Sequence, residues 1–175
     1  MPISAMAKEA IYRGVLETLR SRVRAGPRPT REESMALAIQ SLWRAFGGRP
    51  LSWIGFYEID PAAPHSMILL VREPKPACSP IGLHGMCGRC ALAARPMVVR
   101  DVATLGEGYI ACDPADRSEL VVPLIEPDGA CRAVLDADSY DVGAFDETDA
   151  AGCSAVLEVL GLSEPRAEHR EVVSL

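Results

Sequence analysis

The sequence predicts an α+β domain: a mainly antiparallel sheet of about six strands, with helices from both ends of the chain packed against it. Three observations predict it. Segments 5–25 and 30–46 repeat apolar residues at helical spacing, and segment 146–160 does so again near the other end. Between them, short apolar runs alternate with Pro, Gly and Asp breaks, as strands do. Neighbouring strands are joined by tight-turn residues and not by crossover helices, which favours antiparallel pairing.

The first helix carries Ile11, Val15, Leu16, Leu19 and Val23 on one side. Its arginines, among them Arg13, Arg20, Arg22 and Arg24, read first as a solvated face and second as a basic docking surface. Gly26, Pro27 and Pro29 stop it. Thr30 followed by Glu33 makes a capping box for the second helix, which Gly47 and Gly48 end. Segments 51–59 and 66–73 read as two strands joined by the turn at 61–64. Pro74, Pro76 and Pro80 then make 73–83 a loop, and it carries Cys78. A short helix over about 86–94 places Cys87 and Cys90 near its start. Segment 96–102 is a strand, and 103–118 is a long loop carrying Cys112. Two strands, 119–126 and 130–139, are joined by Pro127, Asp128 and Gly129, a hairpin turn. Asp146 caps the last helix and Gly161 ends it. The charged segment 163–175 reads as a flexible tail. The organisation predicted is therefore an N-terminal helix at 1–29, one domain at 30–162 and the tail.

The 175 residues suffice for one domain with its own core, and 49% of them are hydrophobic. A net charge of −6 argues against nucleic acid or an anionic membrane as partner. No apolar run nears the roughly 20 residues that span a bilayer. Segment 1–10 lacks an apolar signal core, which predicts a cytoplasmic protein. Six cysteines are many for such a chain. With a core available, thiol chemistry or metal binding explains them better than a disulfide frame. Cys131 and Cys153 sit in apolar segments and read as small buried hydrophobes.

Segment 109–124 concentrates the chemistry. Cys112 stands in a loop among Asp113, Asp116 and Arg117, and Glu119 opens the next strand. Cys78 is also on a loop, and Cys87 lies at a helix start, where the helix dipole favours a thiolate. Three such thiols suit a cycle in which one attacks and another closes a disulfide, or they are unrelated; spacing alone does not choose. Cys87 and Cys90 form a C-x-x-C, but a four-cysteine zinc site would need a second close pair, and a thioredoxin-type motif would need a preceding strand. Asp136 and Asp138, at i and i+2 of a strand, share one face. With Glu119 on the neighbouring strand they would make an acidic pocket suited to an ammonium or a metal, against the plainer reading of a solvated strand end. Trp53 and Tyr57 also share a face, as core packing or as an aromatic wall for a small ligand.

The runs SWIGFY, KPAC, GMCG, IACD, RSELVVPL and VLDADS, in that order, resemble the free methionine-(R)-sulfoxide reductases, which are single GAF domains. The resemblance spans about residues 30–160. It implies a GAF-like catalytic domain at 30–162 that needs no cofactor or metal. It implies Cys112 as the cysteine that attacks the sulfoxide, Cys78 as the resolving cysteine and Cys87 as an auxiliary one. Glu119, Asp136 and Asp138 match the acids that hold the substrate amine and assist protonation of its oxygen. Trp53 and Tyr57 match the aromatic wall around the substrate methyl. Family members are typically cytosolic homodimers recycled by thioredoxin. The chain departs from the pattern around the Cys78 loop, which is shortened, and at Cys90, which replaces a small residue. The shortened loop and a basic N-terminal helix longer than is typical motivate an alternative, a non-catalytic GAF module that binds a small ligand or senses redox state.

Overall fold

A capped pair of helices leads into the sheet. In the computed structural model, which describes residues 3–48, 50–109 and 112–175 and omits the side chains of 107 and 108, helix α1 spans Ala5–Ala25 and α2 spans Arg31–Phe46. Ile110 and Ala111 of the IACD run lie outside the described residues. The capping box forms: the Glu33 amide donates to Thr30 Oγ1 at 3.2 Å and the Thr30 amide to Glu33 Oε2 at 2.8 Å. Strands follow at Trp53–Asp60 (β1), Ala63–Glu73 (β2), Ile81–Gly82 (β3), Met97–Val99 (β4), Ser118–Ile125 (β5), Cys131–Ser139 (β6) and Val173–Ser174 (β7). Helix α3, Met86–Ala93, lies between β3 and β4, and α4, Glu147–Val159, follows β6.

The sheet order is β3-β2-β1-β6-β5-β4-β7. Every pairing is antiparallel except β4 with β7. The count is seven strands against an expected six or so, because two edge strands have only two residues each, too few to show a hydrophobic alternation. One of them, β3, pairs Ile81 with Met67 inside the segment expected to be irregular. The other, β7, lies in the tail expected to be flexible. That tail is instead tied down: the Val173 amide donates to the Pro96 carbonyl and the Leu175 amide to the Val98 carbonyl, each at 2.9 Å. The long loop before β5 contains a 3₁₀ stretch, Val102–Gly108.

Period-2 alternation sorts the sheet into two faces. Ile54, Phe56, Leu120, Val122, Leu135 and Ala137 face α1, α2 and α4 and make the main core. Removing such a side chain from water contributes about 1.5–3 kcal/mol each, so this face holds the fold. Helix α1 belongs to it: Tyr12 and Leu19 are buried there. Lys8 is buried too, donating at 2.8 Å to both the Ala144 carbonyl and Asp146 and pairing with Asp149. A buried ammonium needs such partners, and these fasten α1 to α4. The opposite face, with Trp53, Tyr57, Val121 and Val134, is covered by α3 and by loops. Gly88 lets α3 lie against Leu83, whose backbone a Cβ there would strike, and Gly55 leaves room for the Trp53 indole across the sheet.

Candidate active site

The second face carries the acids. Strand register places Glu119 beside Asp138, and Trp53 beside Asp138 on its other side. Asp136 sits between Gly55 and Val121. Asp136 and Asp138 share a face, as their spacing predicts, and Glu119 joins them from β5. A cavity of about 280 Å³ opens over these three carboxylates. Among the described residues, no lysine, arginine or histidine lines it.

Carboxylates without cations in a poorly hydrated place hold their protons. Burial pushes Asp136 up to about 7. Burial raises Glu119, and the neighbouring Asp136 adds to the effect. Asp138, half-buried at the cavity edge, is raised by loss of water and then by Asp136 and Glu119. Glu119 Oε2 and Asp136 Oδ1 have no hydrogen-bond partner. A shared proton between Glu119 and Asp136 is the simplest occupant of that gap while the cavity is empty of ligand.

Trp53 and Tyr57 form a wall, with ring centroids 6.1 Å apart. Their polar ends have a second task that their spacing did not show. Trp53 Nε1 donates to the Lys75 carbonyl at 2.8 Å, and the Tyr57 hydroxyl to the Cys78 carbonyl at 2.7 Å. The wall therefore anchors the loop that carries Cys78.

Cys78 and Cys112 are both exposed and both line the cavity mouth. The Cys112 thiol is pushed up to about 12, first by the protein packed around it and then by the nearby Cys78 thiol. The Cys78 backbone amide opposes that shift. The two thiols thus share one cavity mouth, although the residues are far apart in sequence.

Cys87 differs from expectation. It does sit in the first turn of α3 and does line the cavity, but it is buried and its thiol is raised, not lowered. Burial is the main cause, and the Asp136 and Glu119 carboxylates come next. One turn of helix dipole does not outweigh them. The thiol donates to Asp136 Oδ2 at 3.3 Å. Cys90 is buried and turned away, toward the carbonyls of Arg95 at 3.2 Å and Val121 at 3.6 Å. No four-cysteine cluster forms among the described residues; the metal-compatible group there is Cys87, Glu119 and Asp136. Cys131 and Cys153 are buried in β6 and α4, as expected of small hydrophobes.

Two lining residues escaped the sequence reading as site groups. Tyr109 lines the cavity with Glu119, and Asp116, buried and pushed up to about 6 by burial and by Asp113, sits at the cavity beside Ser52. Asp116 stood in the acidic run around Cys112, so its composition carried a trace; nothing local marks Tyr109. A third link, Lys75 to Asp113 at 2.7 Å, joins the two cysteine loops.

The arrangement offers two thiols at one cavity mouth for two-electron chemistry and a floor of carboxyls that hold protons for transfer and can release them to pair with a cation. No family model matches the chain. A solved GAF domain is 28% identical, covers 90% of this chain and 90% of its own, and superposes with a TM-score of 0.76, so the class of protein is a GAF-fold domain. The free methionine-R-sulfoxide reductase of Neisseria meningitidis, solved in complex with its substrate, is 36% identical, covers 87% of each chain and has a TM-score of 0.77. The Saccharomyces cerevisiae enzyme of the same name is 34% identical over 119 residues, 66% of each chain. The chain belongs to the free methionine-R-sulfoxide reductase family.

Proposed function

We propose that this protein reduces free methionine-(R)-sulfoxide to methionine, with Cys112 as nucleophile. The observation that carries the mechanism is that Cys112 and Cys78, both exposed, line one cavity whose floor is three carboxylates and whose described lining holds no lysine, arginine or histidine. The substrate's ammonium supplies the missing charge at Glu119, Asp136 and Asp138. An amide nitrogen would not, so peptide-bound methionine sulfoxide is excluded. Trp53 and Tyr57 pack against the S-methyl group.

Cys112 sulfur attacks the sulfoxide sulfur while a proton from the Glu119–Asp136 pair goes to the sulfoxide oxygen. The protonated oxygen then passes from the methionine sulfur to Cys112 sulfur: the S–O bond to methionine and the transient S–S bond break, a Cys112 S–O bond forms, and methionine leaves with Cys112 as a sulfenic acid. The Cys78 thiolate then attacks Cys112 sulfur, a disulfide forms, and the oxygen departs as water. Two thiols are oxidised and one sulfoxide is reduced. An ammonium on the floor offsets only Asp136, the least of the influences that raise the Cys112 thiol. Cys87 serves as the auxiliary thiol, its S–H holding Asp136 in place. A dithiol protein of the thioredoxin type reopens the disulfide, and the enzyme acts as a homodimer in the cytoplasm. The family resemblance supports those last three features, and the free thiols agree with a reducing compartment.

The test is methionine release from free methionine-(R)-sulfoxide with dithiothreitol, run beside the N-acetylated sulfoxide. Turnover of the free amino acid, none of the blocked one, and none at all in Cys112→Ser are expected. Activity that survives Cys112→Ser overturns the reading.

A further inference from the structure

The cavity floor has an imbalance that an ammonium only half answers. Cys87 Sγ and one oxygen each from Glu119 and Asp136 lie within 4.8 Å of one another, all buried. Glu119 and Asp136 are 5% and 7% exposed. Glu119 Oε2 and Asp136 Oδ1, both shut off from solvent, accept no hydrogen bond. The lone S–H of Cys87 goes to Asp136 Oδ2, so with no ligand bound only a proton shared by Glu119 and Asp136 themselves can answer those two oxygens. Burying an acceptor without a partner is costly, and a pair side by side is more so. An ammonium meets the oxygens but gives nothing to the sulfur. A thiophilic divalent cation meets all three.

We propose that Cys87, Glu119 and Asp136 form a binding site for a divalent cation of zinc's class, and that the ion and the substrate's ammonium exclude each other. The ion site stands on the geometry alone; the exclusion rests on the sulfoxide-reductase reading. One thiolate and two carboxylates suit a borderline-soft ion and not calcium or magnesium, which prefer oxygen only. Around a tetrahedral zinc, bonds of about 2.0–2.3 Å set ligand atoms roughly 3.3–3.8 Å apart, so a contraction of about 1.5 Å or less closes the trio. The flexible Glu119 side chain can supply that movement. On binding, the Cys87 S–H bond breaks and the sulfur bonds the metal, Glu119 and Asp136 bind it as carboxylates, and the thiol proton and the carboxyl pair's proton go to solvent. The fourth position faces the cavity and takes a water. The ion then occupies the floor that the substrate requires, and the enzyme is reversibly inhibited. No electron moves, so a chelator restores it.

Cobalt(II) is the probe. Reduced, chelator-treated protein is titrated anaerobically with Co²⁺, followed by the thiolate-to-cobalt charge-transfer band. We expect one equivalent bound, X-ray absorption of the same sample fitting one sulfur with oxygen neighbours, and a dissociation constant raised about tenfold or more in Asp136→Asn, an effect of the size expected when a site is disturbed. The band should vanish in Cys87→Ser; if that variant does not fold, the single-sulfur fit in the unaltered protein decides. Free methionine should displace the metal. A band that persists in Cys87→Ser and vanishes in Cys78→Ser or Cys112→Ser, a two-sulfur fit, or no band at all overturns the site. Because binding is read without turnover, a protein that reduces the sulfoxide and shows no one-sulfur site loses only this inference. One that shows the site without turnover loses only the reductase reading.

Discussion

Glu119, Asp136 and Asp138 stand on adjacent strands in the middle of the sheet, whereas Cys78 and Cys112 stand on loops at its edge. The floor acids are held by cross-strand register and by the packing of β1, β5 and β6 beneath them. The thiols are held by a few tethers: Trp53 to the Lys75 carbonyl, Tyr57 to the Cys78 carbonyl, and Lys75 to Asp113. The difference follows from the work proposed for each. Acids that raise one another's pKa must not relax apart, or they would ionise and lose the proton they deliver. Free thiols must close to a bond of about 2.05 Å, which needs backbone that gives. A rigid floor and a yielding rim should therefore respond differently to substitution.

The largest effect belongs to the floor. Glu119→Gln keeps the shape and removes the transferable proton, so kcat/KM for the free sulfoxide should fall about 10²–10⁴-fold, the usual reach of acid–base assistance. Steady-state kinetics on that variant checks it, and a loss under tenfold would mean that the floor only binds. The rim should fail in another way. Cys78→Ser leaves the attacking thiol intact, so a rapid-quench experiment without added thiol should give about one methionine per chain and then stop at a sulfenic acid that dimedone traps. No first turnover, or undiminished cycling, would remove Cys78 from the resolving role.

Asp116 lies between floor and rim, and its effect reads on stability. Burial and then the Asp113 charge raise its folded pKa to about 6, above the ordinary 3.8. The folded state therefore holds that proton more tightly than the unfolded chain. The stability this gives is full below about pH 4 and is lost as pH rises toward 6. Asp116→Asn lacks the loss and keeps an amide beside Ser52 Oγ, 3.4 Å from Asp116 Oδ1. It should be more stable by about 1 kcal/mol at pH 8, after allowance for solvent screening, and show no advantage at pH 4. Urea titrations at the two pH values decide, and an equal difference at both would rule out titration as the cause.

The same division explains what could be read from residues alone. Asp136 and Asp138 share a face because a strand alternates, and the Pro127–Asp128–Gly129 turn brings β5 beside β6, so the floor was legible. The two-residue strands β3 and β7 were not, since two residues carry no alternation and pair only because long neighbours offer an edge. The state of Cys87 was misread for a related reason. Its helix position is local, but the acids that raise it come from β5 and β6, and charge across a packed interface outweighed position within an element. Tethers between loops leave the least trace: Lys75 and Asp113 are 38 residues apart.

That tether yields the smallest effect and the finest test of the rim. Lys75 Nζ reaches Asp113 Oδ2 at 2.7 Å, and the Tyr140 hydroxyl donates to the same oxygen at 3.1 Å. Lys75 precedes Cys78 by three residues and Asp113 follows Cys112 directly, so the pair holds the two thiol loops in register. It draws Asp113 down to about 2, through the Lys75 hydrogen bond first. Exposed ion pairs hold weakly, so Lys75→Met should slow disulfide closure by only about two- to fivefold. Screening gives the control: 1 M salt, with a Debye length near 3 Å, should slow the unaltered protein by a similar factor and leave Lys75→Met unchanged. Methionine release in the first turnover should not move in either case, because the attack on sulfur does not require the second loop. A loss in that first step would place Lys75 with the floor, and equal salt sensitivity in both proteins would show that the ion pair does not set the approach of Cys78 to Cys112.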